Sequence, residues 1–169
     1  MPRYKLTVEY LGTNFSGWQK QKNSYSVQEA IELASKKLFQ EKINLVVAGR
    51  TDAGVHAEGQ VAHFDLTKDF CSRKILLGIN FHLMSLKFGQ DISIKKIVKV
   101  NSKFSARFSA KKKFYQYLIL NSTFRSPILS KNSWWVRNKL DFESMVIASK
   151  CLVGSHDFSS FRSKGCQSK

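Results

Sequence analysis

The chain has 169 residues, of which 28 are Lys or Arg and 12 are Asp or Glu, so its formal net charge is +16. With 43% hydrophobic and 24% charged residues, it has the composition of a globular protein that can bury a core. It lacks the ~18 consecutive apolar residues of a membrane span, and no apolar run follows its basic N-terminus, so we expect no membrane anchor or signal peptide.

Cysteine usage and charge narrow the class of protein further. The three cysteines, Cys71, Cys151 and Cys166, are odd in number and lack CxxC spacing, which argues against a disulfide framework or a zinc site. A reduced, cytoplasmic environment is therefore the expectation. The excess of positive charge favours a nucleic acid partner, because each phosphate contact releases condensed counterions. The alternative is a basic surface that is merely solvated.

Periodicity predicts the first elements in the order strand, helix, strand, loop, strand, helix, strand. Residues 3–10 alternate between an apolar and a polar face, as in a strand with one wet side. Ser26 and Glu29 have capping-box spacing at the start of a helix whose apolar stripe continues to Leu38. The later elements are a buried strand at 43–47, a loop at 49–57, a strand at 60–66, a helix at about 72–83 and a strand at 91–100. This order predicts an α+β fold, in which helices pack on one face of an antiparallel sheet.

The second part of the chain gives fewer signals. Residues 101–110 are small and polar, as in a linker or an edge segment, and alternation resumes at 114–120. Asp141 is placed to cap a helix that continues to Leu152, and Gly154 suits the end of that helix. We therefore predict an N-terminal domain at 1–103 and the start of a second, truncated α+β domain at 104–169.

Asp52 is the carboxylate that stands out as a candidate for chemistry. Gly49 and Gly54 flank it and let the backbone bend close to a ligand. Arg50 lies two positions before it, and a nearby guanidinium favours the ionised form that a nucleophile or base requires. Because a carboxylate repels phosphates, its presence in a nucleic acid site is better explained by chemistry than by affinity. The alternative is an Asx turn, which is common where Asp lies beside Gly in a loop.

A basic cluster next to aromatic residues is the candidate RNA-binding surface. Cations hold the RNA backbone while rings stack on unpaired bases. The alternative is that the tyrosines are ordinary strand residues. Trp134 and Trp135 are adjacent on a strand and point to opposite faces, so at least one should be packed, and His63 is expected to be a packed or surface residue. The basic candidates are Arg107, Lys111, Lys112, Lys113 and Arg125, and the adjacent rings are Phe114, Tyr115 and Tyr117.

Four ordered motifs resemble one known family. Residues 49–57, GRTDAGVHA, resemble the signature loop of the tRNA pseudouridine synthase A family. Residues 10–19, YLGTNFSGWQ, resemble the family's opening strand and turn, with Leu11 in place of the usual Asp. Residues 104–110, FSARFSA, resemble its central segment, with Ser105 where His is usual, and residues 154–158, GSHDF, with Phe161 and Arg162 resemble a later one.

The resemblance implies a function and assigns roles to residues. It implies a ferredoxin-like type of synthase domain that isomerises uridine to pseudouridine at positions 38 to 40 of the tRNA anticodon stem-loop. Asp52 aligns with the catalytic nucleophile, and Tyr115 with the tyrosine that stacks on the flipped base. Arg50 is expected to fill the gap left in the RNA helix and to pair with Asp52. The resemblance also implies a reaction that requires no metal or cofactor, tRNA as the partner, and a homodimer.

Two other functions compete with this one. The first is a non-catalytic RNA-binding module of the same fold, which would bind RNA without turnover. The second is a basic hydrolase that uses Asp52 and His56, which would cleave the strand or release the base. Neither alternative is excluded by residue types alone.

Overall fold

A four-stranded antiparallel sheet forms the centre of the first part of the molecule. The computed structural model describes residues 1–161, and the chain divides into one unit at Met1–Phe114 and a second that begins at Tyr115. The strand order is β2-β3-β1-β4. The elements of the first unit are β1 (Arg3–Tyr10), α1 (Val27–Phe39), β2 (Val46–Val47), β3 (Ala57–Asp65), α2 (Ser72–Met84) and β4 (Ile92–Val100).

Strand β1 lies between β3 and β4 in the sheet, and its alternating apolar side chains all point to one buried face. It pairs antiparallel with both β3 and β4, so that Leu6 lies opposite Ala62 on one side and Ile97 on the other. This face joins the apolar sides of both helices in a single core. The structure confirms the predicted α+β fold. The buried β1 residues are Tyr4, Leu6, Val8 and Tyr10.

Helix α1 begins where its capping residue predicts. The Ser26 hydroxyl accepts a hydrogen bond from the Glu29 N–H at 3.2 Å, which satisfies a donor that has no partner within the helix. Its buried residues, including Ala30, Ile31 and Ala34, follow the predicted stripe. Helix α2 buries Ile75, Ile79 and Leu83 in the same way. Both helix predictions are confirmed.

The strand predicted at 43–47 is shorter than expected. Only Val46 and Val47 pair with β3, although Ile43 and Leu45 are buried. The Leu45 N–H donates to the Glu32 carboxylate on α1 at 3.3 Å. This backbone group is therefore satisfied by a helix side chain, and the segment is held in the core without joining the ladder.

The strand predicted at 114–120 is reduced to its last part, because β5 covers only Ile119–Asn121. The residues Phe114, Tyr115 and Tyr117 are 90%, 75% and 88% exposed. Alternation stabilises a strand when one face packs on a core, and these aromatic side chains have no such packing among the described residues.

The described part of the second unit, residues 115–161, contains one strand pair and one α-helix. Strand β5 pairs in parallel with β6 (Trp134–Val136), and α3 spans Phe142–Ser149, followed by a 3-10 turn at Lys150–Leu152. The predicted cap is confirmed, since the Asp141 carboxylate accepts the Ser144 N–H at 3.0 Å. Trp135 is partly buried and donates its indole N–H to the Ser122 carbonyl at 2.8 Å, whereas Trp134 is exposed.

The predicted domain boundary at residue 104 stays a prediction. Phe104 and Ala106 make contacts with the sheet of the first unit. Across residues 1–161, no helix has the length and apolar character needed to cross a membrane.

Candidate active site

The loop between β2 and β3 carries the candidate nucleophile. Antiparallel pairing of Val47 with Ala62 brings the chain to the sheet edge, and the Ala48 N–H still bonds to the Val61 carbonyl at 2.8 Å. The Gln60 side-chain amide then donates to the Gly49 carbonyl at 2.8 Å. The start of the loop is thus fixed by β3, the strand that also receives its end.

Backbone hydrogen bonds hold this loop against the turn that follows β1. The Trp18 N–H donates to the Thr51 carbonyl at 3.0 Å, and the Gly54 N–H donates to the Phe15 carbonyl at 3.3 Å. These two bonds lie on either side of Asp52 in the sequence. They fix the backbone around this residue while leaving its side chain outside the contact.

Two side-chain contacts reinforce the same attachment, and sequence reasoning did not find them. The Tyr10 hydroxyl shares a 2.8 Å hydrogen bond with the Thr51 hydroxyl, and the Gly12 N–H donates to Nδ1 of His56 at 2.9 Å. Burial raises the pKa of the Tyr10 phenol, so this group stays neutral. The only signal in the sequence is that Tyr10 is the last residue on the apolar face of β1 and the first residue of the motif at 10–19.

Two glycines make this close approach possible. A Cβ on Gly12 would overlap the Val55 carbonyl oxygen, and one on Gly17 would overlap the Thr51 carbonyl oxygen and lie 3.0 Å from the Asp52 carbonyl carbon. Gly17 also has a φ of +93°, which side-chain-bearing residues rarely adopt. The turn and the loop can therefore meet only because these positions lack side chains.

Asp52 is exposed, and among residues 1–161 its carboxylate has no hydrogen-bond or ion-pair partner. Its backbone carbonyl accepts the Val55 N–H at 3.2 Å. An Asx turn would engage the side chain with a neighbouring backbone N–H, and no such bond is present in the described part of the chain. The Asp52 carboxylate is thus available to a ligand, while the backbone of the loop that carries it is fixed.

The expected pair between Arg50 and Asp52 is not formed in the structure. Both side chains are exposed, and an ion pair in water contributes only about 0–1 kcal/mol, which does not offset the cost of ordering two side chains. In the described ranges, the ion pairs join Arg3 to Asp65, Lys20 to Glu29, Lys95 to Glu9 and Lys99 to Asp69.

One residue of the basic cluster lies at the start of the same loop. A Cβ on Gly49 would be 2.8 Å from Nζ of Lys113 and 3.1 Å from its Cε, so the end of this side chain lies against the glycine. Lys111 and Lys112 are exposed, as is Arg107, whose guanidinium lies 5.3 Å from the centre of the Phe108 ring. The structure therefore brings Lys113 and the Asp52 loop together.

The other candidates belong to the second unit. Tyr115 is its first residue and is exposed. The Arg125 guanidinium lies 5.9 Å from the centre of the Trp135 ring and lines a shallow depression with Ser126, Pro127 and Ser130. Arg162 of the fourth motif and Cys166 lie outside the described residues.

Comparison with known proteins identifies the family. The sequence profile of a family described as tRNA pseudouridine synthase matches residues 6–109. The chain is 51% identical over 168 residues to a tRNA pseudouridine synthase A of Ehrlichia canis, covering 99% of this chain and 67% of that protein. The chain belongs to the tRNA pseudouridine synthase family. It is also 48% and 47% identical over 169 residues to the tRNA pseudouridine synthase A proteins of Brucella anthropi and Brucella ovis, covering 100% of this chain and 66% of each.

The matches differ in how much of this chain and of the related proteins they cover. The match to the tRNA pseudouridine synthase family begins within β1 at Leu6, includes the turn that follows β1 and the Asp52 loop, and ends just before the lysine cluster. The chain spans about two thirds of the length of the curated synthases it matches. The family name indicates an isomerase that acts on tRNA.

Metal-binding side chains do not cluster in the described part of this synthase-family chain. Among residues 1–161, no three His, Cys, Asp or Glu side chains are grouped so that they could hold a metal ion. Cys71 and Cys151 are exposed free thiols. His56, near the end of the Asp52 loop, accepts the Gly12 N–H with its Nδ1.

Proposed function

We propose that this chain carries the catalytic loop of a synthase that isomerises uridine to pseudouridine in tRNA, with Asp52 as the nucleophile. The observation that carries the proposal is the state of the Asp52 carboxylate. The carboxylate is exposed and has no partner among the described residues. The backbone is fixed on both sides of Asp52 by hydrogen bonds to the turn that follows β1. A rigid backbone with a free carboxylate is the arrangement that a positioned nucleophile requires.

The chemistry explains why a carboxylate is needed. The N1–C1′ bond of uridine breaks, the uracil rotates, and a C5–C1′ bond forms. N1 takes up one proton and C5 gives one up, so atoms balance and no oxidation occurs. Asp52 would attack at the ribose C1′ or at the base C6, or stabilise a glycal-type intermediate.

The target nucleotide must leave its stack before Asp52 can reach it, at a cost of a few kcal/mol that protein contacts offset. We propose that Arg50 fills the gap left in the RNA helix, and that Tyr115 stacks on the extruded base. The exposure of both side chains supports these roles, since each must meet RNA directly. Uridines at positions 38 to 40 of the anticodon stem-loop are the proposed targets.

The charge of the chain supports an RNA substrate. A net charge of +16 provides an attractive field for a polyanion, and we propose that the basic group binds phosphates. Its members are Arg107, Lys111, Lys112, Lys113 and Arg125. Cytoplasmic location, which cysteine usage favours, and homodimer formation, which the resemblance implies, are part of the same proposal.

The contacts of His56 favour the synthase over the hydrolase. Its Nδ1 accepts the Gly12 N–H, so this nitrogen is engaged in holding the loop. In the neutral imidazole the ring proton then lies on Nε2, so His56 could take up a further proton only by giving up its bond to the Gly12 N–H.

Tritium release from tRNA tests the proposal directly. Unmodified tRNA labelled with tritium at C5 of uridine is incubated with the chain, and the products are also examined on a gel. A synthase releases tritium and leaves the strand intact. Binding without release would support the non-catalytic module, and strand cleavage or free uracil would support the hydrolase.

A further inference from the structure

A segment after β4 returns to the sheet and is held there by an arginine. We call residues 102–106 the crossing segment. Nη1 of Arg3 donates to the carbonyls of Ser102 and Phe104 at 2.7 and 2.6 Å, while Nε and Nη2 bond to the Asp65 carboxylate at 2.8 Å each. One guanidinium thus joins β1, β3 and the crossing segment. It lies on the side of β1 opposite the Tyr4–Leu6–Val8–Tyr10 face.

His63 holds the end of the crossing segment. It is 5% exposed, and its Nδ1 accepts the N–H of Ala106, which is 2% exposed, at 3.1 Å. The Phe104 ring meets the imidazole edge-on with ring centres 5.9 Å apart, and Nζ of Lys5 lies 5.8 Å from the centre of the Phe104 ring. Because the Ala106 N–H is buried, loss of this acceptor would leave an unsatisfied donor.

The chain that follows the crossing segment is the basic one. Residues 107–113, which we call the basic segment, begin directly after Ala106 and include Arg107 and the three lysines. At the other end, Lys113 lies against Gly49 at the start of the Asp52 loop. The residue just before the basic segment therefore contacts β3, and the last residue of the segment contacts the loop that leads into β3.

We propose that His63 is a positioning residue for RNA binding: by accepting the Ala106 N–H, it fixes the start of the basic segment so that Lys113 lies beside the Asp52 loop. The inference rests on the proposed function for the identity of the ligand. Ordering these cations before RNA arrives removes an entropic cost that binding would otherwise carry. His63 itself does not touch the RNA.

This role requires a neutral imidazole with Nδ1 free to accept. Burial, and then the Arg3 guanidinium, lower the pKa of His63 below its ordinary value, while Asp65 and a hydrogen bond with the Val46 backbone act in the opposite direction. Lys5 also lies on this side, over the Phe104 ring. Acidification protonates Nδ1 and removes the acceptor, so the segment is released as pH falls through the pKa of His63.

Three variants of the full chain separate positioning from packing. H63L removes the acceptor, H63N keeps a carbonyl oxygen near the position of Nδ1, and V61A alters β3 two residues away as a control. Amide hydrogen exchange at Ala106 is measured without RNA, and KM and kcat are measured for tritium release from C5-labelled tRNA. For H63L, we expect at least about fivefold faster exchange at Ala106 and an RNA KM raised about tenfold, with kcat within about twofold.

The controls decide the interpretation. H63N and V61A should keep exchange at Ala106 and the KM close to those of the parent. In the parent, KM should rise on acidification below pH 6.5, and in H63N it should not. Unchanged exchange at Ala106 in H63L, or an unchanged KM with only a lower melting temperature, would overturn the proposal. An inactive parent with faster exchange in H63L would instead count against the proposed function.

Discussion

At the scale of single residues, the absence of side chains at two glycines determines where the candidate nucleophile lies. Gly12 and Gly17 allow the turn after β1 to contact the backbone of the Asp52 loop. The Asp52 carboxylate makes no contact that would fix its position, since it has no hydrogen-bond or ion-pair partner among the described residues. The position of Asp52 is therefore set by backbone packing around it.

Replacing Gly17 by Ala should disturb this packing more than the same change at two other glycines. G17A combines a φ of +93° with overlap of the Thr51 carbonyl, whereas G54A has a φ of +80° with no atom within 4 Å, and G59A meets only the Thr7 methyl at 3.9 Å. We expect G17A to lower the free energy of unfolding by about 2–4 kcal/mol and to reduce turnover, because both strain and overlap act on the loop. Urea unfolding and tritium release measure the two effects.

The control variants give the scale of that comparison. G54A should cost about 1–2 kcal/mol from backbone strain alone, and G59A should be close to neutral. Equal losses in G17A and G59A would show that contact between turn and loop does not stabilise the fold.

At the scale of elements, the sequence predicts a strand or helix correctly where a short run of neighbouring residues determines it. The alternation in β1 and the Ser26 cap of α1 were read correctly, because each depends on neighbouring residues in the sequence. The strand predicted at 43–47 is too long, because the Leu45 N–H donates to Glu32 instead of to a neighbouring strand. Glu32 lies 13 positions away in the sequence, so a local pattern does not reveal this bond. The Tyr10–Thr51 contact joins residues 41 positions apart, and their spacing in the sequence does not predict it.

The site shows the same division. The sequence, together with the resemblance of residues 49–57 to a family signature, predicts Asp52 and the glycines beside it as the site, and this assignment stays a prediction. The predicted Arg50–Asp52 pair failed because sequence spacing does not determine the rotamers of exposed side chains. The role of His63 toward Ala106, 43 positions away, required the structure.

Ser26, which caps α1, and Ser35, within α1, should respond oppositely to substitution by Ala. S26A removes the cap on the Glu29 N–H and should lower the free energy of unfolding by about 1 kcal/mol. The buried Ser35 hydroxyl has no hydrogen-bond partner in the described part of the chain, so S35A should be neutral or stabilising. Urea unfolding of both variants checks the signs, and destabilisation by S35A as large as by S26A would contradict this account of the helix.

At the scale of the whole molecule, the net charge of +16 makes the affinity for RNA depend on salt. The described ion pairs leave most basic side chains available to phosphates. The three lysines of the basic segment are exposed, and the end of the Lys113 side chain lies against Gly49. This placement concentrates positive charge near the candidate nucleophile.

Replacing Lys111, Lys112 and Lys113 together by Gln should reduce the slope of log K against log salt by about 2–3, since each phosphate contact contributes about 0.7–0.9. A matched triple variant at Lys36, Lys37 and Lys42, at and just beyond the end of α1, removes the same charge elsewhere. Its slope should change little. Equal changes in the two variants would mean that net charge, rather than local contacts, sets the affinity.

The most direct measurement is the rate of tritium release from C5-labelled tRNA by the parent and by D52N, with E58Q as the control. D52N keeps the shape of the side chain and removes its nucleophilic charge, whereas E58Q neutralises an exposed carboxylate six residues away. We predict that D52N binds tRNA as the parent does but releases tritium at least about a thousandfold more slowly, and that E58Q keeps the parent rate. Release by D52N at the parent rate would contradict the assignment of Asp52 as the nucleophile.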